Sequence, residues 1–450
     1  MRIYLKKLVQ VFLAISVGCI LVLNFYKRDE WVTQGADVYP WGVNYQRHDG
    51  KHKLDFTGPK VHHHVQREMG RPDNISVIDE HSIFYKAPRN KGLIYPDPDR
   101  IQDRILNQLE FIPVNVKERG EDEPMKTIVV YNGFSGWDIR PGQQTFLEQK
   151  CPVNRCFLTP DRQKGLDADA ILFSHSPSRP VFKRPLSQIW ILFMLESPYH
   201  TPGLSAFKDI FNWTATYRHD STIVAPYEKF SPFNESIQTK SQTKNYATGK
   251  TKQVAWFVSN CGARNGRRQY ANELAKYIGV DIYGGCGTLK CPRYQAGKCF
   301  DMLNKDYKFY LAFENSNCRD YITEKFFVNG LQHDVIPIVM GASPADYKRA
   351  APVHSYIHVD DFESAKDLAE YLHKLDKNDD LYNEYFQWKG TGSFINTYFW
   401  CRVCALLHDD QRKTSWFKDV DNWWRGPDVC IGQETWRQFN KRTHGNKKES

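Results

Sequence analysis

Phe309 to Leu331 reads FYLAFENSNCRDYITEKFFVNGL, and its polar residues are spaced for chemistry. Tyr321, Glu324 and Lys325 stand at i, i+3 and i+4, so on a helix a ring, a carboxylate and an ammonium share one face of a turn. Asp320 is the expected N-cap, with the helix starting at Tyr321. The first turn of a helix offers unpaired N–H groups and a partial positive charge, which suits a phosphorylated ligand. Lys325 would then meet phosphate, and Glu324 would accept from ribose hydroxyls. The plainer reading of these residues is a solvated Glu-Lys pair on an amphipathic helix.

Glu196 is the second candidate. It follows the apolar run Ile189 to Leu195 and opens the Pro-bracketed turn Glu196-Ser-Pro-Tyr-His-Thr-Pro202. A carboxylate leaving a buried strand is partly desolvated and suited to accept a proton. His200, farther along the turn, is the rival base because imidazole titrates near neutrality. Arg267 is the third, at a helix start after the Gly-bearing loop Cys261 to Gly266, where a guanidinium can grip a diphosphate with two hydrogen bonds. Ser259, at the end of the preceding strand, is a weaker donor. Asp167-Ala-Asp169 invites a metal-binding reading, which its place immediately before a buried strand argues against.

The elements that must position these residues are apolar runs bounded by polar turns. Phe309 to Phe313 suits a strand buried on both faces of a parallel sheet, ending at Glu314-Asn315. Further strands are expected at Thr127–Tyr131, Ala170–Ser174, Ile189–Leu195, Val254–Ser259, Val280–Gly284, Val335–Met340 and Tyr356–Val359. Helices are expected at Arg267–Ile278 and Glu363–Leu375, the second with Ala365, Leu368, Ala369 and Leu372 as its core stripe and Asp360 and Asp361 as caps. This alternation describes an α/β protein, and open sheets of this kind bind ligands at the carboxyl ends of their strands.

With 450 residues, 41% of them hydrophobic, there is room for two or three domains. The formal charge of +9 is spread along the chain apart from a basic end, Arg437 to Lys448, and no base-reading motif is visible, so nucleic acid is not an expected partner. Arg2, Lys6 and Lys7 precede an apolar run over 8–26, read as an uncleaved signal anchor with residues 1–7 cytoplasmic. A cleaved signal is the alternative, but no small-x-small site follows. Residues 27–125 read as a stem, with one helical pattern at Ile101, Ile105, Leu106 and Leu109; His62-His63-His64 reads as a solvated tract. Ten of the eleven cysteines lie beyond the anchor, which fits disulfides in an oxidising lumen. The sequons at Asn74, Asn212 and Asn234 fit the same compartment. Domain boundaries are expected at 126–228, a linker at 229–252, a second domain at 253–390 and a Cys/Trp-rich tail at 391–450.

FENS, five residues, then YITEK resembles the signature of the α1,3-fucosyltransferases, and LESPYHTP resembles the segment that supplies their general base. WFVSNCGARN, SYIHVDDF and FQWKGTGSFINTYFWCRVC look closest to the arthropod-type core enzymes. The resemblance covers about Ile128 to Cys430. It implies a GT-B architecture, two Rossmann-like domains facing a cleft, acceptor-side first and donor-side second. It implies GDP-fucose as donor and the asparagine-linked GlcNAc of an N-glycan as acceptor, with Glu196 as base, Arg267 and Lys325 on the diphosphate and Glu324 on ribose. Tyr310, Asn315 and Tyr321 would shape the nucleotide and phosphate pocket, while Gln144 and His200 would lie toward the acceptor. It implies that Cys401 and Cys404 tie the tail back to the first domain, with Cys151 and Cys156 as partners; the pairing of Cys286, Cys291 and Cys299 stays open. No metal cage is expected, and Mn2+ would act only through phosphate. The implied location is the Golgi membrane, as a single-pass type II protein, with a homodimer left open. Two alternatives remain: a Lewis-type enzyme acting on antennal GlcNAc, and a noncatalytic membrane-tethered glycan-binding protein.

Overall fold

Runs that are apolar at every position, rather than at alternate ones, mark strands covered on both faces. The computed structural model describes residues 92–100 and 102–445. The anchor at 8–26, the stem as far as Lys91, His62-His63-His64, Asn74 and Ile101 lie outside the described residues. No helix among the described residues is long and apolar enough to cross a membrane.

One sheet has six parallel strands in the order β2-β1-β3-β4-β5-β6. These are β1 Lys126–Val130, β2 Cys156–Thr159, β3 Ala170–Ser174, β4 Ile189–Met194, β5 Trp213–Thr216 and β6 Ile223–Val224. β3 and β4 are buried at every position, as their composition predicts. β2, β5 and β6 were not expected. β5 is a buried WTAT whose threonines look like loop residues, but Thr216 and Ser221 satisfy each other at 2.6 Å, and Thr214 and Thr222 exchange hydrogen bonds at 3.3 Å.

The second large sheet is also parallel, in the order β12-β11-β10-β8-β9. Its strands are β8 Lys252–Phe257, β9 Val280–Tyr283, β10 Tyr307–Phe313, β11 Ile336–Met340 and β12 Ile357–His358. Chain order reverses between β8 and β10, so the loops leaving these two strands flank a switch point, the usual ligand crevice of such sheets. The helix Ala365–Asp376 buries Ala365, Leu368, Ala369, Leu372 and Leu375, the expected stripe. Its cap is Ser364, not Asp360 or Asp361, since Ser364 accepts from the Asp367 amide and Asp360 accepts from the Trp436 amide at 2.6 Å. The linker is less plain than expected: β7 Phe230–Pro232 within it pairs antiparallel with β13 Gly392–Phe394.

Of the described residues, all but Gly136–Asp138 belong to one compact unit, so both large sheets are parts of one body. The tail helps to join them. Phe399–Leu407 is a helix buried at every position, fastened by Cys151–Cys401 and Cys156–Cys404, with Phe399 on Phe193 of β4 at 5.5 Å. Farther on, Trp424 Nε1 donates to Thr201 at 2.9 Å. Beyond these contacts with the first half, the tail also reaches the second sheet. Cys430 is bonded to Cys318, and Trp436 Nε1 donates to the Gly341 carbonyl at 2.9 Å. The other disulfides are Cys261–Cys286 and Cys291–Cys299.

Candidate active site

β4 delivers Glu196 from the first sheet, and β10 delivers Glu314 to Lys325 from the second. The two strand ends meet. Glu196 Oε1 accepts from the Ser197 amide at 2.8 Å, Asn315 Nδ2 at 3.1 Å and the Tyr321 hydroxyl at 2.7 Å. Three donors on one oxygen fix the plane of the carboxylate. Tyr321 is itself fixed, buried with its ring 5.1 Å from that of Tyr217. Asn315 and Tyr321 were expected around phosphate; here both are on the candidate base.

The helix of the signature begins later than its spacing predicts. It starts at Glu324, and its N-cap is Thr323, so Tyr321 precedes the helix instead of sharing its first turn. The cause is Glu314, a carboxylate that the sequence reading quoted but gave no role. Completely buried, it accepts from the Thr323 amide at 2.8 Å and the Thr323 hydroxyl at 2.9 Å. Burial raises its pKa, against the pull of Lys325 3.3 Å away. Gly341 makes room for it, at φ 154° where a Cβ would lie 2.6 Å from Glu314 Cγ.

Asp320 is not a cap either. It is left-handed, at φ 59°, its amide donating to Asp346 at 3.1 Å. Its carboxylate accepts from His219 Nδ1 and Arg349, each at 2.6 Å. These partners hold its pKa well below the usual carboxylate range despite burial. His219 follows β5, so this pair also joins the two halves.

Lys325 Nζ donates to Glu324 at 2.9 Å and to Thr323 Oγ1 at 3.0 Å. Burial lowers its pKa, but Glu314 and Glu324 outweigh that and raise it. Glu324 is thus paired with Lys325, both partly exposed. Arg267 begins its helix, Arg267–Leu274, as expected, but it is 3% exposed and not an open grip. It donates to the carbonyls of Phe313 at 2.8 Å and Asn260 at 2.9 Å, which ties the exits of β10 and β8 together. Tyr310 is fully buried in β10, its hydroxyl accepting from Asn329 at 3.1 Å, and burial pushes its pKa up to about 12. Ser259 is exposed two residues beyond β8.

His200 lies beside the base. Its Nδ1 meets Ser197 Oγ at 3.0 Å, which meets Ser316 Oγ at 2.8 Å. Burial lowers the His200 pKa, Glu196 opposes that, and Arg264, Arg267 and Lys325 reinforce it, so the ring is neutral near pH 7. Gln144 is exposed and donates to Glu148 of its own helix at 2.9 Å. Asn234 is exposed, as a carbohydrate acceptor should be. Asn212 is not: it is 7% exposed, Nδ2 donates to the Ser415 carbonyl at 2.9 Å, and Oδ1 accepts from the Trp190 amide at 2.9 Å. Asp169 binds Lys126 at 3.1 Å and the Thr127 amide at 2.8 Å, at the opposite end of its strand from the site. Cys156, Cys404 and His408 converge, but the two sulfurs are bonded to each other.

Sequence reasoning missed the parts that act through folding. Ser197 and Ser316 join the base to His200 only because β4 and β10 end together. His175, at φ 60° after β3, lies near enough for Glu196 to oppose the lowering of its pKa by burial. Its place at the carboxyl end of the neighbouring strand was the signal that could have found it.

The family model described as fucosyltransferase, N-terminal matches residues 123–228, and that described as glycosyltransferase family 10 (fucosyltransferase) C-term matches 247–423. The chain is 55% identical over 360 residues to glycoprotein 3-alpha-L-fucosyltransferase A of Drosophila melanogaster, covering 79% of this chain and 70% of that protein. It is 34% identical over 360 residues to alpha-(1,3)-fucosyltransferase C of the same organism, covering 72% and 84%. A crystal structure of an alpha1,3-fucosyltransferase with GDP-fucose aligns with 66% of this chain and 94% of its own at TM-score 0.42 and 15% identity, too loose a likeness to carry weight. The two matched halves, each with its own parallel sheet, and the relative matched over most of its length lead to one conclusion: the chain belongs to glycosyltransferase family 10, the fucosyltransferases.

Proposed function

We propose that the protein transfers L-fucose from GDP-β-L-fucose in α1,3 linkage to the asparagine-linked GlcNAc of N-glycans, in one inverting displacement within a GT-B cleft. The observation that carries this reading is the junction of Glu196 with Asn315 and Tyr321, which puts a candidate base against the donor-side signature. Glu196 takes the proton from O3 of GlcNAc. That oxygen attacks the fucose anomeric carbon opposite GDP, the bond to the β-phosphate oxygen breaks, and GDP leaves with the electron pair. Lys325 and Arg267 supply positive potential where the diphosphate gains charge, and fixed charges of this kind commonly account for much of a rate enhancement. Glu324 faces ribose. Mn2+ is read as a helper acting only through phosphate. The choice of acceptor follows the name of the relative at 55% identity. Golgi residence as a type II protein follows from the apolar run at 8–26 with its positive flank and from the oxidising compartment that five disulfides suit.

The test is transfer by the detergent-solubilised full chain from GDP-fucose to a biantennary glycopeptide, with the product digested and weighed. Fucose retained on the asparagine-linked GlcNAc is the expected result. Fucose on an antennal GlcNAc would move the assignment to the Lewis type, and glycan binding without transfer would end the catalytic reading.

A further inference from the structure

The tail helix Val420–Arg425 is fastened to the first half by contacts of its own. Asp421 accepts from the Leu204 amide at 2.7 Å, and the Arg218 guanidinium lies 4.2 Å from the centre of the Trp423 ring and donates to the Trp423 carbonyl. Trp424, the next residue, is completely buried. An indole offers one N–H donor and a large rigid ring, and here both are used around the same carboxylate.

The N–H serves the turn that carries Glu196. Trp424 Nε1 donates to Thr201 Oγ1 at 2.9 Å, and Thr201 Oγ1 donates in turn to the Pro198 carbonyl at 3.3 Å, which closes the turn on itself. Arg425 adds a hydrogen bond to the Thr201 carbonyl. The ring serves the other side of the base. It lies 5.5 Å from the Tyr217 ring, the Tyr217 ring lies 5.1 Å from that of Tyr321, and the Tyr321 hydroxyl donates to Glu196 Oε1 at 2.7 Å. All three rings are buried, and close packing leaves little room for one to turn alone. The backbone that carries the carboxylate and the hydroxyl that orients it therefore share one support. Proton transfer depends on hydrogen-bond reach, and a misplacement of about 1 Å can cost about a hundredfold in rate.

We propose that Trp424 is a positioning residue for the transfer reaction: through Thr201 it holds the turn that bears Glu196, through Tyr217 it holds Tyr321, and so one tail indole aims the base. This rests on the reading of Glu196 as the base. It also gives the tail a part in the chemistry beyond fastening the two halves together.

The experiment compares the full chain with Trp424→Phe, Trp424→Leu, Thr201→Val and the double variant Trp424→Phe with Thr201→Val. Readouts are kcat per GDP-binding site counted by calorimetry, KM for GDP-fucose, the pH profile of kcat/KM and the melting temperature. Trp424→Phe keeps a ring against Tyr217 and removes the N–H, while Thr201→Val removes the hydroxyl it meets. Each should lower kcat about threefold to tenfold with GDP affinity and the KM for GDP-fucose held. The double variant should be no slower than Thr201→Val, since both changes cut one link. Trp424→Leu loses both arms and should fall roughly a hundredfold, with the acid limb of its pH profile moved to higher pH, because a carboxylate that loses donors is easier to protonate. Full kcat per site in folded Trp424→Phe and Thr201→Val overturns the proposal, whatever the melting temperatures, and so do losses that multiply in the double variant. If Trp424→Leu does not fold, these other three variants decide. Glu196→Gln is the reference: if it keeps full kcat, the base reading falls and this proposal with it, a different result from an inactive Glu196→Gln beside fully active Trp424 variants.

Discussion

The Tyr321 hydroxyl donates to Glu196 Oε1 at 2.7 Å, so a residue of the loop leading into the donor-side helix holds the base that leaves the other sheet. Tyr321→Phe keeps the buried ring and removes that donor. A hydrogen bond to a charged group contributes about 1.5–3 kcal/mol, so kcat should fall roughly tenfold to a hundredfold with GDP affinity retained. A parallel loss of GDP binding would show that Tyr321 serves the nucleotide instead.

Glu196→Gln should leave GDP binding and the melting temperature near those of the unaltered chain while lowering kcat by about 10²–10⁴, the usual contribution of a general base. His200→Ala should cost far less, because its Nδ1 meets Ser197 and Ser316. The reverse ranking in steady-state transfer assays would make His200 the base.

Asp320 combines a left-handed backbone with a buried charge paired to His219 and Arg349. Asp320→Asn keeps a side chain that tolerates this backbone, Asp320→Gly removes the pair but not the conformation, and Asp320→Ala loses both. Melting temperatures should fall in the order Asn, Gly, Ala, the last two separated by roughly 1 kcal/mol of backbone strain. Equal losses for Gly and Ala would mean that the left-handed conformation costs nothing.

Glu228 is half-buried, and burial pushes its pKa up to about 7. A carboxyl whose pKa is higher folded than unfolded stabilises the protein at low pH, and that contribution is lost as pH rises from the unfolded value, near 4.5, through 7. Glu228→Gln should therefore change little at pH 4.5 and stabilise by roughly 1–3 kcal/mol at pH 8, read from denaturant curves at both pH values. A stabilisation equal at both would rule out the titration.

Cys318–Cys430 fastens the signature loop to the tail. Peptide mapping without reduction should recover this link, and Cys430→Ser should lower stability by about 2–5 kcal/mol and reduce kcat, since Asn315 and Tyr321 flank Cys318. Unchanged kcat in the folded variant would separate the disulfide from the site.

Much was legible in the sequence because it depended on short-range pattern. Phe309 to Phe313 had to be a strand buried on both faces, Ala365 to Leu372 had to be a helix with one apolar stripe, and FENS with YITEK marked the donor side. What the pattern could not carry was every decision made by a distant partner. Helix propensity allowed a start at Tyr321, but buried Glu314 captured the Thr323 amide and moved the start to Glu324. Spacing put Arg267 at a helix start, but its hydrogen bonds to the Phe313 and Asn260 carbonyls come from distant chain. No strand was expected at Thr214 and Thr216, whose hydroxyls are satisfied by Thr222 and Ser221. Local spacing determines which residues share an element, whereas the meeting of Glu196 with Asn315 and Tyr321 spans 119 and 125 residues and exists only when β4 and β10 end at the same place.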